Sequence, residues 1–440
     1  MTLERDTFRR NFESRPRRQG TAGWTDALGL AALERFLDGG FPTTRQEEWR
    51  YTNVAAFSAV PFDLPTRHEL TGEERQSLTV LAPAFAGDFE GRRMVFVNGR
   101  FAPALSHLGR PAPGLRLSSL AGSLSADAAA LEPVLSAAAG ESGFRALNTA
   151  FLSDGAFIRL DDGAVVEEPI HLVHVAVGDR TPSATFVRHV VLAGAGSRAT
   201  LVETHLGLGT QVCLTSAVAQ AVLGESAQLG LHRLQQEGQG SLHVGEWLVR
   251  QSRDSRFNSL SVALGAAVSR HDIFAELAGE GARCSLDGLY LGSGRQVVDN
   301  HTFVDHAVPR CTSTEDYKGI LDESSRGVFA GRVLVRPGAV HTDARQSNRS
   351  LLLTEEAESD TKPQLEIYAD DVKCSHGAAV GQLDPDALFY LRSRGLPEVE
   401  ARAMLTLAFA GELLGRVEHE PLRLHLDGLL RRWLARGGRS

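Results

Sequence analysis

The chain has 440 residues, 42% hydrophobic and 23% charged, with a formal net charge of −8; that is long enough for two or three domains with a sizeable core, and the balance excludes wholesale disorder. No concentrated basic stretch stands against the acidic balance, which sets nucleic acid aside as a partner. Four cysteines without a CxxC spacing make no disulfide framework, Met1 to Gly20 lacks the apolar run of a signal peptide, and no stretch approaches the ~18 apolar residues of a membrane span, so a cytoplasmic protein is expected.

In chain order, Trp24 to Leu37 reads as a helix with Thr25 or Asp26 as N-cap, Leu28, Ala32 and Phe36 on one face, and a stop at Gly39-Gly40. Between about Pro61 and Ser125 the pattern is mixed, with a short strand Met94-Val95-Phe96-Val97 running into the turn signal Asn98-Gly99. Residues 1–140 are expected to form a small, largely helical domain. From Ala156 the texture changes for about 200 residues to short runs of Val, Leu, Thr and Phe separated by Gly, Ser and Asp. Ile170–Val177, Thr185–Leu192 and Ala199–Thr204 are examples, and many such runs alternate polar and apolar, as half-buried strands do. Ser197, Ser226 and Ser255, each in a turn-like cluster, recur 29 residues apart, and Gly279-Glu280-Gly281 follows after a slightly shorter interval. Regular turns without interleaved helices fit the coils of a β-helix or solenoid, and equally a β-sandwich. Residues 141–380 are assigned to this β core.

Residues 381–440 are helical again. Asp384-Pro385 supplies an N-cap with proline at N1; Leu388, Phe389 and Leu391 follow, and Gly395 stops the helix. A second helix starts near Pro397 and carries Val399, Met404, Leu407, Ala408 and Leu414; a third runs from Pro421 to Trp433. Three short helices cannot bury a large core alone, so their apolar faces must pack on the β region or on a partner.

The densest chemistry lies in Tyr368 to Ala378. Cys374 and His376, two apart on a strand, point to one face, so sulfur and imidazole can reach one metal or one interface, and Lys373 is placed to lower the thiol pKa. Two ligands are too few for a closed site, and the plain alternative is a core thiol beside a satisfied polar residue. Gly194-Ala195-Gly196-Ser197-Arg198-Ala199 matches a dinucleotide fingerprint, but a strand rather than a helix follows it, so it reads as a turn. There is no GxxxxGK[ST], so this chain supplies no Walker loop for ATP. His301, His306 and His341 lie near Asp299, Asp305 and Asp343 without a spacing that organises them into a site, and no GxSxG occurs.

Three stretches together resemble the SufD family of the bacterial SUF iron–sulfur cluster assembly machine. They are Glu47-Glu48-Trp49-Arg50-Tyr51-Thr52; Leu147 to Ile158; and the C-terminal third, through Thr342 to Asn348, Leu365 to Ala378 and Leu388 to Gly395. The resemblance implies a mainly β fold, a right-handed parallel β-helix flanked by N-terminal and C-terminal helical domains. It implies a non-catalytic scaffold that pairs with its paralogue SufB, a possible homodimer when isolated, and helices that dock the ATPase SufC. Leu388, Phe389, Tyr390, Leu391 and Gly395 are the residues it marks for SufC. The family's interface histidine falls on His376 and its nearby cysteine on Cys374, the ligands implied for a nascent Fe–S cluster shared with SufB and fed by a cysteine desulfurase; reduced FAD in the complex is permitted too. Cys213, Cys284 and Cys311 fall on no family motif and are expected in the core. The alternatives are a SufB-type paralogue, against which the Asp370 to Gly377 segment stands, and a β-helix carbohydrate-active protein, for which no export signal is seen.

Overall fold

Strands of about ten residues, each followed by a tight turn, force the chain to reverse before it can lengthen into a flat sheet, and the result is two parallel sheets wound as a β-solenoid of about seven turns. The computed structural model describes residues 2–15, 23–82, 91–137, 143–178 and 181–437. The ten-stranded sheet holds β1 (Arg92–Val97), β2 (Arg100–Phe101), β5 (Ile170–Val177), β7 (Arg198–Leu208), β9 (Gln228–Gln236), β11 (Arg256–Ala263), β13 (Arg283–Gly292), β15 (Thr312–Leu321), β17 (Asp343–Leu352) and β19 (Lys373–Gly381). The nine-stranded sheet holds β3 (Leu115–Ser119), β4 (Ala156–Leu160), β6 (Ser183–Ala193), β8 (Cys213–Leu223), β10 (Leu242–Gln251), β12 (Val268–Leu277), β14 (Val297–His306), β16 (Arg326–Val335) and β18 (Glu358–Ile367). Of the two architectures left open by texture, the solenoid is the one adopted.

Strand alternation decides what each side chain meets. Inward positions of both sheets converge in a lumen filled by residues such as Ile158, Leu172, Leu201, Trp247, Phe257 and Phe329. Outward positions would face water, but two helical layers cover part of them. On the nine-stranded sheet, Phe186, Leu214 and Leu242 pack against Phe8, Phe36 and Trp49 of the N-terminal segment, which contains α1 (Leu3–Ser14) and α2 (Gly23–Gly39). On the ten-stranded sheet, Val202, Leu260, Leu289 and Ile320 pack against Leu413 and Leu414 of the long helix Glu398–Leu414 and Leu422, Leu426 and Trp433 of the helix Glu420–Gly437. Coverage on both faces explains why several strands read as nearly continuous apolar runs.

The turns stack as well. A left-handed residue recurs at Gly196, Ser226, Asp254, Gly281, Arg310, His341 and Asp371. The interval varies, from 27 residues between Asp254 and Gly281 to 31 between Arg310 and His341. This corrects the register read from serine spacing: Ser226 is equivalent to Gly196 and Asp254, not to Ser197 and Ser255. An even period of 29 came from coils of unequal length, and the unequal length is why the repeat looks weak in the sequence.

The two ends of the solenoid differ. At the first, β1 turns back on β2 through Asn98 and Gly99, both left-handed, and β3 runs antiparallel to β4. The segment Leu147 to Gly155 lies across the nine-stranded sheet near this end, over β6 and β8, and leads into β4. The Asn148 amide donates to the carbonyls of Val187 (2.9 Å) and Ser216 (2.8 Å), and the buried Arg188 donates to Asn148 (2.9 Å), Thr149 (2.6 Å) and Gln220 (3.0 Å). Asp154 accepts from the backbone of Phe101 (3.0 Å) and Ala121 (3.1 Å). A Cβ on Gly155 would stand 1.8 Å from the Arg188 carbonyl oxygen, so only glycine fits there. At the second end both sheets simply stop, on β18 and β19.

Candidate functional site

β19 is paired on one side only. Its register sets Cys374 beside Ala344 and His376 beside Gln346 of β17. Cys374 is half-buried and packs on the end of the lumen core, while His376 and most of β19 are exposed. The spacing of two places both on one face, as the sequence indicated. The thiol, however, is not activated by Lys373. Burial pushes Cys374 upward from its ordinary value and Asp343 adds to the rise, against a backbone hydrogen bond with Ala344. Lys373 is the adjacent residue on a strand and therefore projects to the opposite face.

Behind His376 the same register line continues into the lumen as Gln346 and Glu315. The Gln346 amide donates to Glu315 (3.1 Å), and the Thr302 hydroxyl donates to the other Glu315 oxygen. Burial pushes the Glu315 carboxyl up to about 7, and the hydrogen bonds from Thr302 and Gln346 only partly oppose it. Asn348 lies two positions along β17 and accepts a hydrogen bond from the buried Tyr290 hydroxyl (3.2 Å). The side-chain atoms Gln346 Oε1, Asn348 Nδ2 and Thr361 Oγ1 are all sequestered without a partner, so this mouth of the lumen holds unspent hydrogen-bonding capacity.

A second polar cluster, near the closed end, was not anticipated from the sequence. His174, His189 and Glu203 lie close enough to bracket a metal ion. The hydrogen bonds argue otherwise. The backbone N–H of Ala156 donates to Nδ1 of His189 (2.8 Å), so a neutral His189 carries its proton on Nε2 and donates it to Nε2 of His174 (3.1 Å). Neither Nε2 is then free as a ligand. Glu203 accepts from His205 (2.9 Å) and from the Trp247 indole (3.0 Å). Burial pushes His189 down to about 4 and His174 well below its ordinary value, so both rings are neutral. The cluster is a buried network stacked through His174 and His205, ring centroids 4.6 Å apart. No local spacing announces it, because its members come from successive strands of the two sheets, β5, β6 and β7.

The remaining candidates separate. His301 sits 2.9 Å from Asp299 in a network with Arg270; His306 is buried against the Ser313 hydroxyl (2.8 Å); His341 pairs with Asp371 (2.9 Å) at a turn. They share no site. Cys213, Cys284 and Cys311 are buried, and burial pushes Cys311 up to about 11. The Glu47 to Thr52 stretch is an anchor: the Arg270 guanidinium lies 3.9 Å over the Trp49 ring, Thr52 donates to Asp299 (2.6 Å), and Glu47 pairs with Lys362 of β18. Above it lies a cavity of about 760 Å³, in whose lining Arg145 pairs with Glu246 and Arg270 with Asp272.

The helix Pro385–Ser393 begins as the sequence indicated, Asp384 accepting from the backbone of Asp386 (2.9 Å). It buries none of its own residues. Phe389 and Tyr390 are 74% and 57% exposed, Leu388 and Leu391 half-buried, and Gly395 takes the left-handed conformation that ends the turn. Among the described residues no helix is long and apolar enough to cross a membrane.

Comparison with known proteins places this architecture. Residues 174–409 match the family described as SUF system FeS cluster assembly, SufBD core domain, and residues 19–172 match the SufBD protein N-terminal region. The chain is 33% identical over 412 residues to an iron–sulfur cluster assembly SufBD family protein of Synechocystis, covering 91% of this chain and 87% of that one. It is 32% identical over 394 residues to the iron–sulfur cluster assembly protein SufD of Escherichia coli, covering 89% of each, and 24% identical over 432 residues to SufD of Bacillus subtilis, covering 93% and 94%.

Proposed function

Because this chain belongs to the SufBD family of SUF iron–sulfur cluster assembly proteins, we propose that it is a non-catalytic scaffold subunit whose open solenoid end pairs with a SufB-type partner and holds a nascent cluster at the seam. The observation that carries this reading is the end itself. Two sheets stop together, each on a strand that among the described residues has one unpaired edge, and Cys374 and His376 stand on one of those strands. An unpaired edge is a template for a strand of another chain, and main-chain hydrogen bonds across it would bring a partner's ligands beside His376. A neutral imidazole suits iron, and one imidazole with one thiol leaves coordination positions for the partner to fill. Cys374, as a thiol rather than a thiolate in the free chain, joins the ligand set when the metal displaces its proton.

The exposed Phe389 and Tyr390, with Leu388, Leu391 and the Gly395 turn, form the surface assigned to the ATPase SufC. Support comes from contrast: the two following helices spend their apolar faces on the solenoid, and the helix Pro385–Ser393 does not. Relatives carrying the SufD name favour this over a SufB-type role.

The test is anaerobic reconstitution of the co-expressed complex with iron and a cysteine desulfurase, comparing wild type with His376→Ala by visible absorption. The cluster signal is expected to fall while the complex stays intact. An unchanged signal reduces the chain to an architectural role.

A further inference from the structure

One register line of the ten-stranded sheet is mostly apolar as far as Leu286 and then becomes Glu315, Gln346 and His376. Glu315 and Gln346 are 2% and 4% exposed, so whatever they do is done in a dry environment. Both Glu315 oxygens already accept a hydrogen bond, one from Thr302 and one from the Gln346 amide. That arrangement fixes the sense of the Gln346 side chain: its NH2 is spent on Glu315, and its carbonyl oxygen remains without a partner. In a parallel, in-register ladder the next side chain beyond Gln346 is that of His376.

We propose that Gln346 is a positioning residue for His376: its unpartnered carbonyl oxygen is the acceptor that takes the N–H of the exposed His376 ring when the ring turns toward the ladder, leaving the other ring nitrogen unprotonated and available to iron. The proposal rests on His376 as a metal ligand. Its physical basis is general, since an imidazole ligates through one nitrogen only when the proton is held on the other, and a hydrogen-bond acceptor is what holds it there. Glu315 orients the amide and Thr302 orients Glu315, so a chain of hydrogen bonds runs from Thr302 through Glu315 to Gln346, one strand short of His376. An apolar residue at position 346 would satisfy packing equally well and leave the ring to choose its tautomer freely.

The test uses the full-length chain labelled with 15N-histidine, the His376 resonances being those missing in His376→Ala. Long-range 1H–15N spectra report the tautomer of each ring. Wild type is expected to show a single tautomer at His376, Gln346→Met a mixture, and Gln346→Glu, which restores an acceptor, a single tautomer again. In the co-expressed complex titrated anaerobically with ferrous iron and inorganic sulfide, Gln346→Met is expected to weaken cluster loading about tenfold. The same single tautomer in wild type and Gln346→Met overturns the proposal. If Gln346→Met does not fold, Gln346→Glu decides, and a mixture there overturns it. A tautomer change in Gln346→Met together with full cluster loading in His376→Ala upholds the positioning role and removes the ligand reading instead.

Discussion

The closed and open ends of the solenoid are built from the same long strands, yet they finish their sheets in different ways: on short antiparallel strands at one end, on full-length parallel strands at the other. At the closed end Asn148, Arg188 and Asp154 use their hydrogen bonds on backbone and on each other, and each sheet finishes on a short antiparallel strand, β2 or β3. At the open end two strand edges are bare and Gln346, Asn348 and Thr361 keep unpartnered atoms. A terminal coil of a repeat protein is ordinarily a cap that conceals its neighbour's face. Only one end of this molecule follows that rule, and the exception is where Cys374 and His376 stand.

The contrast can be broken most sharply at Arg188. Replacing it with Met strands the side-chain acceptors of Asn148, Thr149 and Gln220, and a loss of about 3 kcal/mol is expected, since each buried neutral acceptor left unsatisfied costs about 1–3 kcal/mol and removal of the buried charge offsets part of the sum. Urea unfolding measures it; a loss under about 1 kcal/mol would mean that the closed end is held by apolar contacts alone.

Next comes Glu315. Its folded value, raised from 4.5 to about 7, means that between those limits the folded chain keeps a proton the unfolded chain has lost. Stability therefore falls as pH rises through that window, by about 3 kcal/mol at most, and the cost persists above it. Glu315→Gln removes the linkage, so the variant is expected to match wild type more closely near pH 4.5 and to exceed it at pH 8. Parallel stability curves across this range would show that Glu315 is not where the open end stores its cost.

The smallest effect on stability is expected at Ala378. Lys373 donates its N–H toward β17, so by alternation the even-numbered residues of β19 aim theirs at the bare edge. Ala378→Pro deletes one edge donor and none of the bonds to β17; the melting temperature should move by only a few degrees while end-to-end association is lost. Size-exclusion chromatography with the co-expressed partner separates the two, and retained association would place the interface elsewhere.

These residues also show what the sequence made legible. Asp384-Pro385 and Asn98-Gly99 declared a helix start and a turn because their meaning is local, a cap and two left-handed residues. The solenoid was half visible, since alternation and turns were clear but the 27 to 31 residue interval blurred the repeat. The His174, His189 and Glu203 network was invisible, because its members lie on three successive strands, β5, β6 and β7, of two different sheets. Cys374 and His376 stood out through spacing and resemblance, whereas Gln346 did not: nothing about a glutamine in a strand shows that its carbonyl is left over until Glu315 is seen to claim the amide.

The stacked, in-register coils carry a consequence for synthesis. Every coil closes on its predecessor across nearly the same length of chain, so the entropic toll of adding one is nearly constant from first to last. A growing chain can lay down the closed end first and extend it coil by coil as residues emerge, each new strand finding a finished template. Each edge laid bare during growth is covered by the coil that follows it, and β18 and β19, the last strands to form, are the ones whose edges are left for a partner to cover.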